Sequence, residues 1–256
     1  MSDAIRFENV TVRAGRTEIL QDISLAFPTG KISVLLGPNG CGKTTLLQCL
    51  NGLSEIAAGK VFLNETDLTS LSGNERAKRV AFLPQVRSVI PAIPVHTLVE
   101  HGRFPYLGFA RRMGSADRKA VKDAMEAVGI ANLADASVDT LSGGVRQKVF
   151  IAMVLAQECD TIVLDEPTTF LDPAAQRDIL QILKNLKTQG KTVITVLHDL
   201  TRAAEIADFL AVMTRDGRVA AAGNAPDVLS SGAIESVFDV QRETVNAGGK
   251  TRQIFY

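Results

Sequence analysis

The sequence predicts an α/β fold with a largely parallel sheet, helices on both of its faces, an N-terminal antiparallel β region and an inserted α-helical subdomain. Three observations predict it. An apolar run at 32–36 ends in a glycine-rich turn and then opens into a helical pattern, as the strand, loop and helix of a βα unit would. Further on, β-branched apolar runs at 161–164, 192–197 and 209–213 alternate with helical patterns at 174–188 and 201–207, the rhythm of a parallel sheet. Between these halves, from Val86 onward, Pro91 and Pro94 break the chain and helical patterns replace strands.

Taken in order, residues 5–12 and 18–27 alternate well enough to form an antiparallel ribbon joined through Ala14-Gly15-Arg16. The strand at 32–36 leads through its loop into a helix at 45–50. A short strand at 59–63, a helical turn at 74–78 and a strand at 80–83 follow, the last ending at Pro84-Gln85. Helices at 95–103, 115–128 and 143–157 make up a subdomain of about 87–158, inserted in one domain that spans 1–256. After the alternating strands and helices, residues 218–222 pair with 209–213 around the turn signal Asp216-Gly217, and a small αβ tail closes the chain. No internal repeat or flexible linker separates these parts, so the subdomain is expected to sit firmly on the core.

With 256 residues, 46% of them hydrophobic, the chain can bury a substantial core. Lys+Arg and Asp+Glu are both 28, so no net basic field attracts nucleic acid or an anionic bilayer at long range, and nucleic acid is not an expected partner. Cys41, Cys49 and Cys159 lack metal-ligand spacing, and their odd number suits reduced thiols better than a disulfide framework. No apolar run approaches the roughly 20 residues of a membrane span, and the first ten residues do not read as a signal peptide. Any membrane role is borrowed from a partner.

The loop after the 32–36 strand carries the most specific chemistry. Gly37-Pro38-Asn39-Gly40-Cys41-Gly42-Lys43-Thr44 matches G-x-x-x-x-G-K-[ST], and Thr45 continues it into the helix. In this P-loop pattern the glycines let backbone N–H groups converge on an anion, assisted by the helix dipole. Lys43 reaches the β- and γ-phosphates, and Thr44 offers its hydroxyl to Mg²⁺. A capped glycine turn is the bland alternative, but the full pattern between a strand and a helix points to a P-loop NTPase core.

Two further features are weaker alone. Asp165 and Glu166 stand just past the carboxyl end of the 161–164 strand, the edge where parallel sheets bind ligands. Either they are a strand-end turn, or Asp165 completes a Mg²⁺ shell and Glu166 polarises an attacking water as general base. Ser142-Gly143-Gly144 precedes an amphipathic helix with Ser142 as its N-cap, a second helix start able to receive an anion. That helix runs directly into the Asp165-Glu166 strand.

Together GPNGCGKTT, LSGG, TIVLDEPT, Phe170-Leu171-Asp172 and the His198 that closes TVITVLH resemble the ATP-binding-cassette ATPases in motif order and spacing, over nearly the whole chain. Finer stretches (VEHGRFPYL, AMVLAQ, LDEPTTFLD, VLHDL) resemble the importers of iron-siderophore, haem and cobalamin. The resemblance implies an ATP hydrolase with ATP and Mg²⁺ as cofactors, acting at the cytoplasmic face of the membrane. Its implied partners are transmembrane permease subunits, a second copy of the chain and, indirectly, a periplasmic or extracellular solute-binding protein. In that family two subunits face head to tail, so each ATP lies between residues 37–45 of one subunit and Ser142, Gly143 and Gly144 of the other. The resemblance also makes Gln85 a metal ligand and sensor of the γ-phosphate. His198 is implied to hold the γ-phosphate and the water, and Asp172 to shape the dimer contact.

The chain departs from the family pattern twice. Ala14 stands where an adenine-stacking aromatic is usual, and Val145 stands where a glutamine often follows the signature. The first puts base selectivity in question; neither touches the phosphate chemistry. Two other readings compete with a transport ATPase: a non-transport cassette switching a soluble assembly, and an unrelated P-loop kinase or GTPase, which leaves LSGG and His198 unexplained. The apolar stretch 89–98 reads as a surface where a partner docks.

Overall fold

Alternation of side chains along the central strands sets the layers. The computed structural model describes residues 2–85, 92–108, 112–247 and 250–256. Strands β1 (Asp3–Ala14) and β2 (Thr17–Pro28) form the antiparallel ribbon, followed by β3 (Ile32–Leu36) and helix α1 (Lys43–Asn51). Strand β4 (Ile56–Leu63) joins β1 antiparallel, β5 (Thr66–Asp67) extends that sheet, and α2 (Gly73–Ala77) and β6 (Val80–Leu83) come next. Among the described residues only helices lie between β6 and β7: α3 (Val95–Glu100), a 3₁₀ segment (His101–Tyr106), α4 (Ser115–Ala127) and α5 (Gly143–Leu155), with shorter 3₁₀ turns. The chain then alternates through β7 (Thr161–Leu164), α6 (Pro173–Thr188), β8 (Thr192–Val196), α7 (Leu200–Ile206), β9 (Phe209–Met213) and β10 (Val219–Asn224). It ends in α8 (Ala225–Ser230), α9 (Ala233–Phe238) and the hairpin β11 (Arg242–Ala247) and β12 (Lys250–Phe255).

The six-stranded sheet runs β10-β9-β3-β8-β7-β6, parallel throughout except for β10, which pairs antiparallel with β9. Every residue of β3, β7 and β8 is buried, as strands covered on both faces require. Their two faces belong to two cores. Leu35, Val163, Ile194 and Val196 meet α1 and the antiparallel sheet, whereas Val34, Leu36, Ile162, Leu164 and Val193 meet the helices on the far side. Helix α1 is packed into the first core by Leu46, Leu47, Cys49 and Leu50, so the loop preceding it cannot drift from the sheet. All three cysteines are free and buried, and burial pushes the thiols of Cys49 and Cys159 up to about 12.

The structure corrects several details of the sequence reading. The helix expected at 95–103 is α-helical only to Glu100 and tightens to 3₁₀ geometry, since Pro105 cannot supply a helical N–H. Gly102 there is pressed so closely on α5 that an added Cβ would lie 2.0 Å from the Met153 carbonyl oxygen. The strand expected at 59–63 begins at Ile56, and α8 carries no sequence signal strong enough to be expected. In the apolar stretch 89–98, Val95 and Leu98 point into the core, while Ala92 and Pro94 are exposed and Ile93, His96 and Thr97 half-buried, so only part of the described stretch is left to meet a partner. Residues 86–91, where strands are predicted to give way to helices, lie outside the described residues.

Arg103 rivets the helical region together. Its side chain, 6% exposed, donates from Nε to Asp117 Oδ1 at 3.0 Å and from Nη1 to the Ala156 carbonyl and to Glu158 Oε2, each at 2.7 Å. Tyr106 closes over it, with its ring centroid 4.1 Å from the guanidinium carbon. Removing one partner of a buried network strands the others. Arg103→Ala is therefore expected to lower the unfolding free energy by about 3 kcal/mol, read from the urea midpoint. Arg103→Lys should recover little of it, because an ammonium lacks the guanidinium fork. A midpoint unchanged in Arg103→Ala would show that the network is energetically idle.

Candidate functional site

Four neighbouring strands of the central sheet, β3, β8, β7 and β6, deliver the candidate residues to one edge. The loop 37–42 leaves β3, His198 follows β8, Asp165 and Glu166 follow β7, and Gln85 follows β6. Because these strands are parallel, their carboxyl ends open on the same side, which is why residues far apart in the chain meet there. The Asp165 N–H also donates to the Leu83 carbonyl at 2.9 Å, extending the β6–β7 ladder to the start of the acidic pair.

The loop is held in a shape only glycine permits. Gly42 has a φ of 97°, and a Cβ there would lie 2.6 Å from Leu20 Cδ2. It occupies the N-cap of α1 without a side-chain cap, which leaves the first helical amides without a capping side chain. Lys43, 6% exposed, folds back so that Nζ donates to the carbonyls of Gly37 at 2.7 Å and Pro38 at 2.9 Å. Cys41 is buried beneath the loop, its thiol pushed up by burial and partly drawn back by Lys43.

Two of the three candidate metal ligands meet directly: Thr44 Oγ1 donates to Asp165 Oδ2 at 2.7 Å. Asp165 is 1% exposed, and its Oδ1 is buried without a hydrogen-bond partner. Burial raises the Asp165 carboxyl above the usual carboxylate range, with the negative charge of Glu166 adding to it and the Thr44 hydrogen bond opposing. Gln85 donates its amide N–H to Glu166, and its side-chain carbonyl takes no hydrogen bond among the described residues. An orphaned carboxylate oxygen, a hydroxyl and an amide carbonyl form a hard oxygen set that fits Mg²⁺.

Glu166 sits in the left-handed region with φ 54°, a conformation that costs on the order of 1–3 kcal/mol for such a residue. Its carboxylate, 12% exposed, is surrounded. His198 Nε2 lies 2.6 Å from Oε1, while Oε2 accepts from Gln85 and, at 3.1 Å, from the hydroxyl of Thr169. Sequence reasoning did not select Thr169. Nothing in the TTFLD stretch announces its contact, which exists only because the backbone turns at Glu166. Phe170, also left-handed at φ 63°, projects 92% exposed from the same turn.

Ser142, Gly143 and Gly144 are not joined to this cluster by any hydrogen bond or ion pair among the described residues. Ser142 caps α5 by accepting from the Val145 N–H at 3.5 Å. Gly144 has a packing reason of its own, since a Cβ there would lie 2.6 Å from that of Ala175 on α6. Asp172 caps α6, accepting from the N–H groups of Ala174 and Ala175 at 2.9 Å each. Ala14 stands exposed at the end of the β1–β2 ribbon, and the neighbouring Arg13 is engaged with Glu18 at 2.6 Å.

Asp165 is a buried anion with one unpartnered oxygen, so it weakens the metal-free fold. Its pKa is higher folded than unfolded, and the folded state therefore loses stability as pH rises through that raised value. Asp165→Asn keeps an acceptor for Thr44 and removes the charge. The melting temperature of the nucleotide-free variant is expected to rise by about 2–4 °C at neutral pH, while added MgATP stabilises it far less than the parent. A lower melting temperature would show that the carboxylate stabilises the apo fold.

Comparison with known proteins places the chain in a family. A family model described as ABC transporter matches residues 20–169. The chain is 38% identical to the iron(3+)-hydroxamate import ATP-binding protein FhuC of Bacillus subtilis (strain 168), covering 95% of this chain and 90% of that one. It is 39% identical to the ferric enterobactin transport ATP-binding protein FepC of Escherichia coli (strain K12), over 93% and 88%. Among solved structures, a metal-chelate type ABC transporter in an inward-facing conformation superposes with a TM-score of 0.86 at 27% identity, over 99% of this chain and 97% of that chain.

Proposed function

Because the chain belongs to the ATP-binding-cassette transporter family, we propose that it is the ATP-hydrolysing subunit that energises an importer of a metal chelate, an iron-siderophore or haem in the first place and cobalamin as the related case. The observation that carries this reading is the meeting of the phosphate loop, the Asp165-Glu166 pair, Gln85 and His198 at one sheet edge, with Thr44 in contact with Asp165. Names of similar proteins supply the import direction and the cargo class, since FhuC and FepC serve iron(3+)-hydroxamate and ferric enterobactin. A non-transport switch is not favoured by these relatives.

In this reading the amides of 37–45 and the Lys43 ammonium bind the triphosphate, which displaces Lys43 from the Gly37 and Pro38 carbonyls. Thr44, Asp165 and Gln85 would hold Mg²⁺, which when bound supplies positive charge against the phosphates. Glu166 accepts the proton of the attacking water, and His198 positions that water and the γ-phosphate. The Ser142–Gly144 helix start caps the nucleotide of a second copy, arranged head to tail, so closure depends on ATP and relaxes after hydrolysis. That motion is delivered to permease subunits at the cytoplasmic face of the membrane, and through them to a solute-binding protein outside. Among the described residues no helix is long and apolar enough to cross a membrane. Residues 1–256 act as one ATP-binding domain, with about 87–158 as its inserted subdomain.

Glu166→Gln is expected to bind MgATP normally, to hydrolyse it at least about 100-fold more slowly and to accumulate as a dimer in sedimentation experiments. The parent should be mainly monomeric without nucleotide, because ATP forms most of the contact. Lys43→Ala should lose binding itself. Parental turnover by Glu166→Gln would sink the base assignment, and a tight nucleotide-free dimer would sink the ATP-dependent closure.

The exposed Ala14 leaves nucleotide affinity resting on the triphosphate. ATP and GTP are expected to bind with similar affinities, and Ala14→Tyr to tighten ATP binding by roughly 0.5–1.5 kcal/mol through a partly exposed aromatic stack. Titration of a fluorescent ATP analogue checks it. No gain on adding the ring would place the base elsewhere than beside the β1–β2 ribbon.

A further inference from the structure

Around Glu166, two donors share Oε2 and the His198 ring stands beside Oε1, and the three neighbours are not equivalent. Gln85 and His198 arrive from other strands, beyond β6 and β8, and the reading above sends both toward a bound nucleotide. Thr169 belongs to the same turn as Glu166. Its N–H donates to the Glu166 carbonyl at 3.3 Å while its hydroxyl donates to Oε2 at 3.1 Å, so backbone and side chain are bound to the same residue. The next contact along the turn, from the Leu171 N–H to the Thr168 carbonyl at 3.4 Å, carries it toward the Asp172 cap of α6. Thr169 therefore moves with Glu166 whatever Gln85 and His198 do.

We propose that Thr169 is a positioning residue for hydrolysis: its hydroxyl, donating to Oε2 of Glu166, fixes the carboxylate so that Oε1 faces the attacking water. This rests on the reading of Glu166 as general base. In the step it serves, the water oxygen bonds to the γ-phosphorus and its proton passes to Oε1. The bond from the γ-phosphorus to the bridging oxygen breaks, and its electron pair stays on ADP. A carboxylate free to rotate would present either oxygen at a range of angles, and the left-handed backbone at Glu166 does nothing to stop rotation about the side chain. With Gln85 and His198 drawn to the nucleotide, the Thr169 hydroxyl is the remaining restraint on that rotation among the described residues. Thr169 is half-buried, and few residue types carry a short donor that reaches back three residues across a turn.

The test compares three variants of the full chain. Thr169→Val keeps the shape and removes the donor; Thr169→Ser keeps the donor; the third combines Thr169→Val with Glu166→Gln. Loss of one oriented hydrogen bond is expected to lower kcat about three- to tenfold in Thr169→Val, with KM and the affinity for an ATP analogue within about twofold of the parent. Thr169→Ser should hydrolyse within about threefold of the parent, and the combined variant should be no slower than Glu166→Gln alone. Parental kcat in Thr169→Val overturns the proposal. So does a Thr169→Ser as slow as Thr169→Val, a loss confined to ATP affinity, or a further drop in the combined variant equal to that in the single one. Parental turnover by Glu166→Gln overturns the base reading and this inference with it. An inactive Glu166→Gln beside a fully active Thr169→Val overturns only the role of Thr169.

Discussion

The hydrogen bond from Thr44 to Asp165 ties together two parts of the chain that the sheet keeps one strand apart. Strand β8 lies between β3 and β7, so the loop after one and the acid after the other can touch only if both bend toward the end of β8. The cost is a carboxylate taken almost wholly out of water with one oxygen unpaired. A fold selected for stability alone would not place a charge there. The cation proposed for this site would account for it, and the parallel sheet, the buried α1 and the glycine loop all hold the arrangement in place.

Apart from the unpaired Asp165 oxygen, the charged groups at the edge are engaged with other protein groups. Lys43 is bonded to carbonyls of its own loop, and the Glu166 carboxylate is enclosed by Gln85, His198 and Thr169. Ligand binding is thus an exchange of partners rather than the filling of an idle cavity. In the proposed function, each group that a triphosphate recruits must first leave a protein partner. The left-handed backbone at Glu166 adds a local strain that the surrounding structure must hold in place.

Several motif residues have structural duties that would preserve them without catalysis. Gly144 lets α5 approach α6, Asp172 caps α6 and Ser142 caps α5. These duties place the second helix start on a rigid support. A dimeric partner could then receive it without ordering a loop.

The sequence by itself determined the phosphate loop, the parallel core, the helical region and the identity of nearly every residue at the sheet edge. These are encoded locally: the period of apolar residues names each element, and the glycines and lysine of 37–44 mark the loop through spacing alone. Small elements escaped it, notably α8 and the early start of β4, because tertiary packing rather than propensity stabilises short segments. The fate of 95–98 was likewise undecidable from an apolar run, since hydrophobicity does not say which side of a helix meets the core. Only the tertiary structure decided that Thr44 touches Asp165, that three side chains crowd the Glu166 carboxylate and that Thr169 is one of them. Those facts depend on strand order and on one left-handed residue, and neither is written in the period or composition of the chain.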